Sequence, residues 1–269
     1  TPPPVKARAL ALNIPVFQPV SMKTEETYET LAACRPDLIV VVAYGKILPQ
    51  RVLDIPKYGC INMHASILPE LRGAGPVQWS ILNHCDETGI SAMYLTAGMD
   101  EGDVIEIRKT PIEPMETSEE LMARLADIAA ELACDTVRAI ENGTAQRTPQ
   151  DNAKATYAPM LTKELSPIDW TQCERYVIDQ VRGLIPWPVA TAELGGKRFK
   201  IAARAFGVQH SQRKGGFARA GHPRYPHYFP QRNINIDIFQ VVNFCSADNH
   251  FINHCFYSEH SDHLSKRLL

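Results

Sequence analysis

The chain has no apolar run long enough to cross a bilayer. Its longest, Leu38 to Tyr44, falls far short of the roughly 20 residues a spanning helix needs. The proline-rich start also lacks the charged-then-apolar pattern of a secretory signal, so no membrane partner and a cytoplasmic location are expected. The cysteines at 34, 60, 85, 134, 173, 245 and 255 include no Cys-x-x-Cys pair, and their number is odd. Free thiols in a reducing compartment fit that better than a disulfide framework. An excess of one charge is missing too. With 28 basic against 30 acidic residues and a net charge of −2, a nucleic acid could be held only by a local basic patch. Leucine is absent between Leu194 and Leu264, a stretch that contains most of the histidines. Residues 207–269 are therefore expected to form an atypical tail, foreign or out of frame and without a packed fold. Its Cys245, His250, His254, Cys255, His260 and His263 lack the paired spacing of a zinc site, and no metal is expected.

What is present describes an ordinary globular protein. The chain has 269 residues, 45% hydrophobic and 22% charged, which suits one larger domain with a smaller one. It opens on Thr1 rather than Met, and an N-terminal segment is expected to precede it. Pro4 can open a short helix to Asn13. Ile14 to Pro19 reads as a brief strand, and Thr24 to Cys34 as a helix with a glutamate-rich face. The β-branched run Leu38 to Tyr44 reads as a strand buried on both faces. Gly59 to Ile67 is the next strand and Gly75 to Asn83 the next helix. Ile90 to Thr96 and Val104 to Thr110 read as an antiparallel pair joined by a glycine-rich turn. Thr117 and Glu120 form a capping-box pattern at the head of a long amphipathic helix that ends at Gly143.

Strands alternating with helices predict an α/β, Rossmann-like, mostly parallel sheet. The expected organisation is a catalytic domain at 1–150, a polar linker at 151–167, and the start of a smaller β-rich domain at 168–206. Within the last, Ala190 to Ala203 reads as a hairpin turning at Gly195-Gly196.

Chemistry concentrates in Gly59-Cys60-Ile61-Asn62-Met63-His64-Ala65-Ser66-Ile67-Leu68-Pro69. Alternation along a strand places Asn62, His64 and Ser66 on one side, at the carboxyl end where parallel sheets bind ligands. Alone, an Asn-x-His pair is short and common. It is joined by Leu68-Pro69-Glu70-Leu71-Arg72-Gly73-Ala74-Gly75-Pro76 and, some thirty residues on, by Gly98-Met99-Asp100-Glu101-Gly102-Asp103.

Together these segments resemble the signature of the formyltransferases that use 10-formyltetrahydrofolate as donor, with Ile67 where leucine is more usual. Further segments, Ile14-Pro15-Val16-Phe17-Gln18-Pro19, Val42-Ala43-Tyr44-Gly45-Lys46-Ile47-Leu48-Pro49 and Ile168-Asp169-Trp170 among them, are similar to the branch whose acceptor is initiator methionyl-tRNA. The resemblance covers roughly Thr1 to Phe206. It implies a formyltransferase fold with a small OB-like barrel after it, incomplete in this chain. It also implies that the family's first strand, first helix and a basic loop would lie before Thr1.

Formyl transfer to an amine passes through a tetrahedral centre, which needs an oxyanion donor and a proton shuttle working near neutral pH. By resemblance Asn62 supplies the donor, His64 the shuttle and Asp100 the carboxylate that orients and supports His64, with Asp103 as the alternative acid. Ser66, Ile67, Leu68 and Pro69 would line a folate-sized cleft. Arg72 is either a solvated loop arginine or a substrate contact, while Lys46 and Lys154 are weaker candidates for tRNA phosphate. The expected partners of a monomeric chain are thus 10-formyltetrahydrofolate and initiator methionyl-tRNA. The alternatives are a family member acting on a sugar-nucleotide amine or glycinamide ribonucleotide, a formyl-folate hydrolase, or an inactive folate-binding remnant.

Overall fold

The computed structural model describes residues 2–45 and 47–201 and the backbone of a strand at 238–241. In chain order the elements are α1 (Pro4–Ala11), α2 (Glu25–Ala33), β1 (Leu38–Val42), α3 (Gln50–Leu53), β2 (Cys60–His64), β3 (Arg72–Gly73), α4 (Pro76–Leu82) and β4 (Glu87–Tyr94). There follow β5 (Val104–Pro111), α5 (Ser118–Glu141), β6 (Tyr157–Ala158), α6 (Glu174–Gly183), β7 (Thr191–Leu194), β8 (Lys197–Lys200) and β9 (Ile238–Val241).

The main sheet has the order β5-β4-β2-β1-β9. β1 pairs in parallel with β2 and β9, whereas β4 runs against both β2 and β5. Only β4 is therefore reversed, and the sheet is α/β and mostly parallel. The β-branched run of β1 is buried on both faces, as its composition requires. Leu38 and Val40 join Ile61 and Met63 in a core under α5, while Ile39 and Val41 join Leu31, Val52 and Leu53 on the other side. The Thr117 hydroxyl caps the Glu120 amide and the Glu120 carboxylate returns to the Thr117 amide, so α5 starts on a complete capping box. Its Leu121, Leu125 and Leu132 are fully buried against the sheet, each contributing about 1.5–3 kcal/mol of burial.

Among the expected strands, the run Leu38 to Tyr44 ends at Val42 and the one from Ile90 to Thr96 is displaced to Glu87–Tyr94, and two others differ more. Residues 14–19 form no strand, since Pro15 and Pro19 have no N–H to give a ladder. The strand expected to reach Ile67 stops at His64, because the chain then turns and the Ser66 hydroxyl donates to the Glu70 carbonyl.

The segment 151–167, expected as a linker, is laid against the first unit through the β3–β6 pair and the Trp79 indole, which donates to the Pro159 carbonyl. Beyond it, Ile168, Val177, Val181, Leu184 and Ala190 form a separate cluster packed against Trp79 and Leu82 of α4. The β7–β8 hairpin turns at Gly195 and Gly196, as expected. Of the expected tail 207–269, only β9 is described; the six cysteine and histidine positions weighed for zinc lie outside the described residues.

Candidate active site

His64 ends β2 with its ring buried. Its Nε2 lies 2.9 Å from the Leu71 carbonyl oxygen, which can only accept, so Nε2 carries the hydrogen. Nδ1 lies 3.6 Å from Oδ2 of Asp100, just beyond hydrogen-bond range. That carboxylate oxygen is itself held by the Gly73 amide at 2.9 Å. A carbonyl from the loop after β2 and a carboxylate from the turn between β4 and β5 thus bracket one imidazole.

Both brackets sit on left-handed backbone, with φ of +58° at Leu71 and +49° at Asp100. Such conformations cost a non-glycine residue of order 1 kcal/mol, and a bulky leucine adopts them rarely. They persist where surrounding bonds over-determine the chain. At Leu71 the amide donates to the Thr156 hydroxyl, and next to it the Arg72 amide donates to the Thr156 carbonyl. Gly73 is required at its position: φ is +114°, and a Cβ would lie 2.8 Å from the Ala158 carbonyl oxygen.

The structure brings one of the two candidate acids to His64. Asp100 faces His64, whereas Asp103 lies 3.8 Å from Arg147, whose guanidinium stacks on Tyr94. Asn62 is half-buried and precedes His64 by two residues in β2, on the same face of the sheet, flanked in register by Val41 and Met93. Ser66 and Leu68 are turned inward. Ser66 is fully buried, the Leu68 amide donates to the Ser91 hydroxyl, and the Leu68 side chain packs with Met93 and Val104. Ile67 and Pro69 are half-exposed, which leaves the apolar edge of the loop to them. Cys60, at the head of β2, is no candidate nucleophile: burial pushes its thiol up to about 12.

Arg72 is not a solvated loop arginine. It is 3% exposed, and its guanidinium donates to the side-chain oxygens of Gln150 and Asn152. The sequence offered no signal for Gln150, a lone polar residue ahead of a polar stretch. Lys154 is exposed, with Nζ 3.7 Å from Asp151; Lys46 lies outside the described residues. Two shallow clefts, of about 170 and 300 Å³, are lined by residues around Trp170 and Arg198 and by Val20–Lys23 with Ile47. Neither includes His64, so the folate-sized cleft expected from the sequence is not one of them. No three potential metal ligands cluster among the described residues.

Comparisons with known proteins bear on the family of the chain. The family described as "Formyl transferase" matches residues 3–137, and "Formyl transferase, C-terminal domain" matches 160–223. The chain is 46% identical over 198 residues to the methionyl-tRNA formyltransferase of Alkaliphilus oremlandii, covering 74% of this chain and 64% of that protein. It is 48% identical over 199 residues to that of Acetivibrio thermocellus, with the same coverage. This chain therefore spans about 64% of the length of those curated relatives. Among solved structures, a sugar N-formyltransferase from Shewanella superposes with a TM-score of 0.60 at 21% identity, covering 73% of this chain and 79% of that one. HypX from Aquifex aeolicus in complex with tetrahydrofolic acid superposes with a TM-score of 0.56 at 20% identity, covering 65% of this chain and 31% of that one. At such identities the superpositions speak for the fold alone. The first family match by itself takes in just over half of the 269 residues, and on that evidence the chain belongs to the formyl transferase family.

Proposed function

We propose that the chain carries the catalytic centre of a methionyl-tRNA formyltransferase, moving a formyl group from 10-formyltetrahydrofolate to the α-amino group of methionine on initiator tRNA in the cytoplasm. The observation that carries this reading is the imidazole of His64 held between the Leu71 carbonyl and the Asp100 carboxylate. With its hydrogen on Nε2, His64 has an unprotonated Nδ1, on the side of Asp100, to take a proton from the attacking amine. The imidazolium so formed has the Asp100 carboxylate as its counter-charge, and it returns the proton to the folate nitrogen as the bond from that nitrogen to the formyl carbon breaks. Asn62, on the same face, is the donor assigned to the oxyanion of the tetrahedral centre. The half-exposed Ile67 and Pro69 offer apolar contact to the folate donor. Names of relatives 46–48% identical support methionyl-tRNA as the acceptor.

The test is incubation with 10-formyltetrahydrofolate labelled in the formyl group, with methionyl-tRNA or an amino-sugar nucleotide as acceptor. Label should enter methionyl-tRNA and disappear with His64→Ala. Label in the sugar nucleotide would overturn the acceptor. Label in neither acceptor, with folate still bound, would show a binding remnant and overturn the catalytic reading.

A further inference from the structure

We propose that Gln150 is a positioning residue: its side-chain amide fixes the turn that aims Asp100 at His64, and Arg72 fixes the amide. This rests on the function proposed above, with Asp100 as the supporting acid. The Gln150 Nε2 donates to the carbonyls of Asp100 at 2.9 Å and Gly102 at 2.7 Å, on both sides of Glu101. Its Oε1 accepts from Nε and Nη2 of Arg72 at 3.1 and 2.7 Å, while Nη2 also donates to Asn152. A guanidinium only donates and a backbone carbonyl only accepts, so one orientation of the amide meets all four bonds. Two donors on one side and an acceptor on the other are what the position demands. A carboxylate could not donate to the turn, and an ammonium could not accept from Arg72.

The turn needs such a hold. Asp100 is in the left-handed region, and its carboxylate reaches His64 only while the backbone stays there. The strap that delivers Gln150 is anchored on both sides: Thr148 exchanges backbone hydrogen bonds with Val104, and Thr156 bonds the Leu71 and Arg72 amides. The same strap therefore holds both groups that bracket His64. Arg72 has no carboxylate within ion-pair distance among the described residues, so its charge is met at these contacts by amide oxygens. A negative charge at position 150 would pair with it.

That asymmetry separates positioning from plain stabilisation. Gln150→Glu keeps and strengthens the contact with Arg72 but sets a carboxylate against two carbonyls. Gln150→Met keeps the length and removes every bond. In the full chain, Gln150→Glu should melt no lower than wild type, yet lose roughly 10- to 100-fold in kcat with KM for the folate unchanged. With ¹⁵N-labelled histidine, the His64 ring resonances of Gln150→Glu and Gln150→Met should leave their wild-type positions and approach those of Asp100→Asn. Wild-type kcat and wild-type His64 resonances in Gln150→Glu would overturn the proposal, as would recovery of kcat in Gln150→Glu relative to Gln150→Met. If the wild-type chain transfers no formyl group, the functional reading fails. The His64 resonances still decide whether Gln150 sets the contact between Asp100 and His64.

Discussion

Replacing Asp100 by asparagine removes one charge and little else. The asparagine carbonyl can still accept from the Gly73 amide, and asparagine tolerates the left-handed backbone at this position. What disappears is the attraction between a carboxylate and an imidazolium 3.6 Å away. At an effective dielectric of about 20, that attraction is worth roughly 4–5 kcal/mol before solvation is counted. Solvent screening is moderate, because the two side chains are 16% and 6% exposed. Allowing for rearranged dipoles, about 2.7 kcal/mol of transition-state support should go, which is roughly a hundredfold in rate. The loss should fall on kcat and not on KM for the folate, since in the proposed mechanism the charge on His64 develops as the amine gives up its proton. Single-turnover transfer of labelled formyl measures it, with thermal melting as the control that the fold is intact. An Asp100→Asn chain that melts like wild type and keeps kcat within about twofold would refute the assignment of Asp100 as the counter-charge.

Further outcomes follow from the packing. Gly102→Ala should lower stability by about 1–3 kcal/mol or more, because a Cβ there meets the Tyr94 carbonyl oxygen at 1.9 Å. Gly98→Ala should cost less, since it meets the movable end of Glu101, and paired urea unfolding curves will show whether the order holds. Leu132→Ala, at a position with no exposed surface, should cost about 2–5 kcal/mol in the same assay, and a smaller loss would mean that the space beneath α5 collapses. Cys60 should resist iodoacetamide at pH 8 while exposed Cys173 reacts, as read by mass spectrometry. Because folding raises the Cys60 thiol from 9.0 to about 12, the unfolded chain gives up its proton first. Its contribution to stability should be independent of pH below 9.0 and should fall as pH rises from there towards about 12, the reverse of a paired carboxylate.

Local pattern was enough for much of this protein. The β-branched run at Leu38, the capping box at Thr117 and the glycine pair at 195–196 specify their elements through neighbours a few residues away, and the structure forms each of them. Alternation in β2 put Asn62 and His64 on one face for the same reason. The sequence could nominate two acids for His64, but only tertiary structure chose between them. Which carboxylate arrives depends on how the β4–β5 turn is held, and the turn is bonded by Gln150, whose partner Arg72 lies 78 residues away in the chain. Periodicity has no reach over such distances. Arg72 shows the limit most plainly: an arginine beside a glycine in a loop reads as a solvated charge, and only the strap folding over it buries the guanidinium against amide oxygens. By itself the sequence determined which residue types could do the chemistry and the strand on which two of them stand. The tertiary structure decided which partners His64 has, because hydrogen bonds between distant segments set the backbone that aims them.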